Sequence, residues 1–211
     1  MTAADATTTP AERAQRAAYS ATLRDRITSS AQTKLALAAD EESMEALADI
    51  ASALLTSLKA GGTVFFFGNG GSSTDAQHLS AELLGRFYLD RPALPSVCLS
   101  DNTAAMTAIA NDYSYEEVFS RQLAGLGRAG DVAIGISTSG GSANVVRALQ
   151  VANDKGLVTV AFTGARGGPI TLVADHVLRA PSTDTPRIQE CHLVAGHTLC
   201  EIVEVELWAA P

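Results

Sequence analysis

His78 and Glu82 stand four residues apart in one helix-like stretch, and Gln189 and His197 stand eight apart in another. At 3.6 residues per turn the first pair shares a helix face, and the second is broadly cofacial with an offset of about 80°. Two imidazoles and two side-chain oxygens suit zinc or a similar divalent cation. Imidazole and carboxylate are also the commonest proton carriers in general acid–base chemistry. By spacing alone, a His–Glu pair at i,i+4 is most often an ordinary hydrogen-bonded surface pair, and metal binding is the less common reading.

A second chemistry is written twice. Gly68-Asn69-Gly70-Gly71-Ser72-Ser73 follows the apolar run Val64–Phe67, and Ser137-Thr138-Ser139-Gly140-Gly141-Ser142 follows Val132–Ile136. In each, a buried-strand pattern runs into glycine and hydroxyl residues and then into a helix-like segment. Backbone N–H groups, hydroxyls and a helix N-terminus converging at such a turn bind an anion such as phosphate. Two loops of this kind suit a phosphorylated small molecule. A dinucleotide fits poorly: Gly68-x-Gly70-x-x-Ser73 carries serine at the third glycine position, and Asp90 lies in a turn-like stretch rather than at a strand end.

These groups need a scaffold. Apolar runs at 63–67, 96–100, 131–136, 157–162 and 176–180 predict strands, several of them apolar throughout, as in a parallel sheet covered on both faces. Helical stretches are expected near 73–86, 102–110, 114–126, 142–155 and 186–208. The alternation predicts an α/β fold, a doubly wound five-stranded parallel sheet sandwiched by helices. Ligands then bind beyond the carboxyl ends of the strands, where both loops fall. An N-terminal helical pair precedes the sheet. One helix starts at Thr9-Pro10, a cap followed by proline, and runs to about 39. The other runs from 41 to 59, with Met44, Leu47, Ile50, Leu54 and Leu58 on one stripe for core packing or a second subunit. Residues 1–9 are small and polar and are expected to fray.

The 211 residues carry a formal net charge of −8, which argues against a nucleic-acid partner. No apolar stretch is long enough to span a membrane, and Met1–Thr9 lacks the pattern of a secretory signal, so a cytoplasmic location is expected. Cys98, Cys191 and Cys200 are odd in number and lack a CxxC, which predicts buried, reduced thiols. His176 and His192 are read as structural or surface residues.

Several segments taken in order resemble the sugar isomerase (SIS) domain family, and within it the sedoheptulose-7-phosphate (phosphoheptose) isomerases. They are Gly68-Asn69-Gly70-Gly71-Ser72 with Asp75-Ala76-Gln77-His78 and Ala81-Glu82-Leu83, then Ala110-Asn111-Asp112-Tyr113 and Gly130-Asp131-Val132. Ser137-Thr138-Ser139-Gly140 and Arg187-Ile188-Gln189-Glu190 with His197 complete the set. The resemblance covers about residues 40–208. It implies an SIS, flavodoxin-like sandwich over 61–211, with 10–60 as oligomerisation helices. It implies a zinc ion on His78, Glu82, Gln189 and His197, and Glu82 and His197 as the acid–base pair, so those two occur in both sets. Substrate contacts fall on Asn69, Gly70, Gly71, Ser72, Glu82, Asn111, Asp112, Ser137, Thr138, Ser139, Ser142 and Gln189. The implied substrate is sedoheptulose 7-phosphate, and the implied assembly a homotetramer. Gly141 stands where the family often has asparagine, and residues 1–18 exceed the family's usual length. Competing expectations are a non-catalytic SIS adaptor that binds a replication initiator, an isomerase of another sugar phosphate, and a sugar-phosphate-sensing regulator. The retained Glu82 and His197 weigh against the adaptor, and the lack of a basic recognition helix against the regulator.

Overall fold

The computed structural model describes residues 9–208, so the fraying expected of the first residues lies, for 1–8, outside the described part. Helix α1 (Pro10–Ala38) begins on Thr9, which forms a reciprocal capping box with Glu12. Helix α2 (Glu41–Lys59) follows after Asp40, whose carboxylate caps the Ser43 N–H.

Five strands then alternate with helices: β1 (Val64–Gly68), α3 (Gly71–Leu84), β2 (Ser96–Cys98), α4 (Thr103–Asp112), α5 (Ser120–Leu126), β3 (Val132–Ile136), α6 (Ala143–Asp154), β4 (Val158–Gly164), β5 (His176–Ala180) and α7 (Thr185–Trp208). The sheet order is β2-β1-β3-β4-β5 and every pairing is parallel. The chain therefore changes direction across the sheet between β1 and β3. The loops after those two strands meet at this switch point, where a doubly wound sheet binds its ligand.

Strands β1 and β3 are buried along their whole length. Alternate side chains enter two cores, one on each face. Val64 and Phe66 join α2, α3 and α7 on one side, and Phe65 and Phe67 join Val118, Phe119, Leu123 and α6 on the other. The α2 stripe goes into the first core: Ile50, Leu54 and Leu58 are buried against this chain's own sheet and α7.

Two differences from expectation bear on the site. The predicted 114–126 helix is a 3₁₀ turn (Tyr115–Glu117) followed by α5, because Val118 and Phe119 turn fully into the core between them. Helix α3 starts at Gly71 rather than 73. Gly70, at φ +57°, turns the chain straight from β1 into the helix, which makes the first loop tighter than its sequence suggests.

Candidate active site

Helices α3 and α7 lie side by side and run in the same direction, with Gly71 beside Gln189 at one end of the contact and Leu79 beside Gly196 further along. A β-carbon at Gly196 would sit 2.5 Å from the Leu79 methyls, so glycine there lets the helices approach closely, one residue before His197. The approach brings His78 and His197 together, Nε2 to Nε2 at 2.7 Å, with the rings edge to face. Glu82, one turn after His78, reaches the same point: its Oε1 is 3.3 Å from His78 Nε2. The three donor atoms lie within 4.8 Å of one another, and the residues are half-buried to exposed. Two imidazoles and a carboxylate match the ligand chemistry of a catalytic zinc site. The donor set fits a divalent ion.

Gln189, the fourth expected donor, stands against Gly71; a β-carbon there would lie 2.1 Å from its Nε2. It is two turns above His197, about 12 Å along the axis at 1.5 Å per residue. The structure thus gathers His78, Glu82 and His197, and places Gln189 at the strand-end mouth of the same interhelical seam.

The mouth is the anion cradle. Ser137 and Ser142 share a hydroxyl hydrogen bond of 2.9 Å across the second loop, and the Gly141 N–H donates to Ser139 Oγ at 3.2 Å. Gly140, at φ +68°, presses on the Gly167 carbonyl so closely that a β-carbon would overlap it, and its own carbonyl accepts from Ile170 N–H. Gly141 has open space around it, so the asparagine expected there is missing for no steric reason. Thr138 and Ser139 open onto a cavity of about 180 Å³ that Arg166, Ser182, Thr183 and Thr185 also line. Ser72 is buried behind the first loop.

Asn69 ties the two loops together. It exchanges two amide hydrogen bonds with Asn144 at 2.8 and 2.9 Å and accepts one from the Tyr115 hydroxyl at 3.0 Å. Neither Asn144 nor Tyr115 was among the expected site residues. The signal for Asn144 was available: a buried-strand end followed by an amide-bearing loop needs a partner amide, and α6 carries one in its first turn. Asn111 and Asp112 close α4, exposed and bonded to each other. The structure does not join them to the cradle or the cluster.

The remaining candidates are structural. His192 is fully buried, with Nε2 3.0 Å from the Thr163 carbonyl, and burial pushes its imidazole down to about 4 while that carbonyl pulls the other way. His176 opens β5, partly buried. The three cysteines are free and buried, and burial pushes Cys98 up to about 11 and Cys200 up to about 12, which keeps them as inert thiols.

The SIS domain family matches residues 29–164. A phosphoheptose isomerase of Aneurinibacillus thermoaerophilus is 46% identical over 182 residues, 86% of this chain and 92% of that protein. One from Aquifex aeolicus is 49% identical over 83% of this chain and 91% of its own. The chain belongs to the SIS domain family, in its phosphoheptose isomerase branch. The solved phosphoheptose isomerase GmhA of Neisseria gonorrhoeae superposes with a TM-score of 0.82 at 37% identity, covering 88% of this chain and 98% of that one. The expected fold is therefore met in strand number, order and direction, down to the leading helical pair. Within this SIS fold, among the described residues no helix is long and apolar enough to cross a membrane.

Proposed function

We propose that the protein interconverts sedoheptulose 7-phosphate and D-glycero-D-manno-heptose 7-phosphate, a ketose–aldose isomerisation, with the His78–Glu82–His197 cluster as its reacting centre. The observation that carries the reading is the meeting of those three side chains on one seam, below a cradle of hydroxyls and backbone turns. His78 lies seven residues down α3 from Gly71, about 10 Å at 1.5 Å per residue. That is about the reach of an open seven-carbon chain whose phosphate sits in the cradle and whose first two carbons sit at the cluster.

The reaction moves a proton between C1 and C2 through an enediol. His78 engages Oε1 of Glu82, which leaves Oε2 to take the proton from one carbon and return it to the other. His197 moves the proton between the two sugar oxygens. A divalent ion, zinc by the chemistry of its donors, would be held by His78, Glu82 and His197, while Gln189, expected as a fourth donor, stands at the mouth against Gly71. When bound, it polarises the oxygens on C1 and C2. Ser72, Ser137, Thr138, Ser139 and Ser142 grip the phosphate, and Arg166 at the cavity wall adds the positive charge that neutral hydroxyls lack. Asn69, Gly70, Gly71 and Gln189 line the path between the two ends, and Asn111 and Asp112 are assigned to the sugar. Fixing the phosphate brings the reacting carbons into register.

The domain division, 10–60 as assembly helices and 61–211 as the sheet domain, is part of the same reading. Tyr19, Leu23 and Ile27 recur every fourth residue on α1 and stand 58%, 63% and 69% exposed, which supports assembly through this helix, as a homotetramer. The assigned location is cytoplasmic, with no nucleic-acid or membrane partner, as the net charge of −8 supports.

The decisive test is turnover of sedoheptulose 7-phosphate by the purified protein, before and after chelation. Activity that vanishes on chelation and returns with zinc is the expected result. Absence of turnover on this substrate, against turnover on a hexose or pentose phosphate, would replace the substrate assignment.

A further inference from the structure

Seven residues beyond His197, two turns along α7, Glu204 is 1% exposed and accepts four hydrogen bonds. Three come from consecutive backbone N–H groups, Phe87 at 2.6 Å, Tyr88 at 2.7 Å and Leu89 at 3.0 Å. The fourth comes from Arg91 Nε at 2.7 Å. Burial pulls the Glu204 carboxyl up, but those donors outweigh it and hold the group below the ordinary range. Arg91 has no exposed side chain, and its remaining donors reach the end of α3, at the Glu82 and Leu83 carbonyls, both at 2.8 Å, as well as the Gly85 carbonyl at 3.4 Å and the Pro92 carbonyl at 3.1 Å.

The consequence reaches the cluster from two sides. Arg91 holds the peptide of Glu82 itself. The loop that Glu204 gathers carries the Phe87 ring onto His197, stacked at 5.6 Å between centroids and 28° between planes. A buried ion pair is a poor device for stability alone, because apolar residues of similar volume serve as well or better. It fixes instead the geometry of a turn, and this turn supports both residues assigned to proton transfer. We infer that Arg91, Glu204 and Phe87 are positioning residues of the active site: the ion pair sets the turn after α3, and through Phe87 and the Glu82 peptide it sets the orientation of His197 and Glu82. The inference rests on the assignment of those two residues to the reaction.

The test uses the full-length protein and three readouts besides activity. Phe87→Leu keeps the apolar volume and loses the flat ring. It should weaken zinc affinity, measured by competition with a chromogenic chelator, by about 10- to 100-fold, the usual cost of removing a group that orients a metal ligand. kcat should fall by a similar factor with KM within about twofold, since substrate grip lies at the other end of the site. The His197 imidazole proton resonance, shifted upfield by the stacked ring, should move downfield, and the melting temperature should stay within a few degrees. Glu204→Gln should move the same resonance by unlocking the turn. A folded Phe87→Leu protein with wild-type zinc affinity, kcat and His197 resonance overturns the inference. So does a folded Glu204→Gln protein whose His197 resonance is unmoved. If the wild-type protein neither binds zinc nor isomerises the sugar, the proposed function fails, and the His197 resonance in the two variants still decides whether the turn positions that ring.

Discussion

At the strand ends, the Ser137–Ser142 loop is held by tight backbone contacts and a pair of hydroxyls. Gly140 bears on Gly167, its carbonyl accepts from Ile170, and Ser137 and Ser142 bond each other. About 10 Å down α3, His78, Glu82 and His197 are held by side chains, through a glycine that admits one helix to another, a stacked phenylalanine and a buried ion pair two turns away. One end of the site is thus preorganised chiefly by main-chain turns. The other is preorganised by packing. The division matches the tasks: a phosphate presents the same shape throughout the reaction, whereas the centre that moves protons needs groups whose protonation and contacts change.

If that division is right, substitutions at the two ends should separate cleanly in kinetics. Glu82→Gln should give the largest effect, a loss of about 10²- to 10⁴-fold in kcat for a missing general base, with the fold intact and KM changed little. Retained turnover would remove Glu82 from the chemistry. Ser139→Ala, at the other end, removes one cradle hydroxyl that also accepts from Gly141. A hydrogen bond to a charged group contributes about 1.5–3 kcal/mol, so KM should rise about tenfold or more while kcat stays near the wild-type value. An unchanged KM would detach this loop from the phosphate, and a falling kcat would show that the two ends are coupled.

Much of this arrangement was legible in the chain because it is local. The apolar runs that become β1 and β3, the glycine and serine residues at their ends, and the 78/82 spacing all lie within a turn or a strand. What stayed hidden is contact between distant positions. Gly196 is an ordinary helical glycine until Leu79 is found against it, and Arg91 and Glu204, 113 positions apart, are ordinary charges until the fold brings them together. Tyr115 lay in what the pattern made a continuous helix; the break at Val118 and Phe119 turns it toward Asn69. The spacing of Gln189 and His197 placed them on one helix face, but only the packed helices reveal that the first sits at the cradle and the second at the cluster.

The smallest expected effect falls between the two ends, at His192, on the inner side of α7 between Gln189 and His197. Its Nε2 meets the Thr163 carbonyl, and the Thr163 hydroxyl donates to Gly167 in the cradle wall. Burial keeps the imidazole neutral down to about pH 4, against an ordinary value of 6.5. Between those two values the unfolded chain binds a proton that the folded protein refuses. Folding stability therefore rises with pH across the window and falls as acid is added through it. His192→Gln keeps a donor for the Thr163 carbonyl and removes the titration. The fall in melting temperature from pH 6.5 to pH 4 should be shallower than in the wild type, with kcat and KM near their original values at neutral pH. An equally steep acid limb would place the acid sensitivity elsewhere. A large loss of kcat at neutral pH would mean that this strut transmits strain from the rigid end of the site to the adaptable one, and the separation between the two ends would then be incomplete.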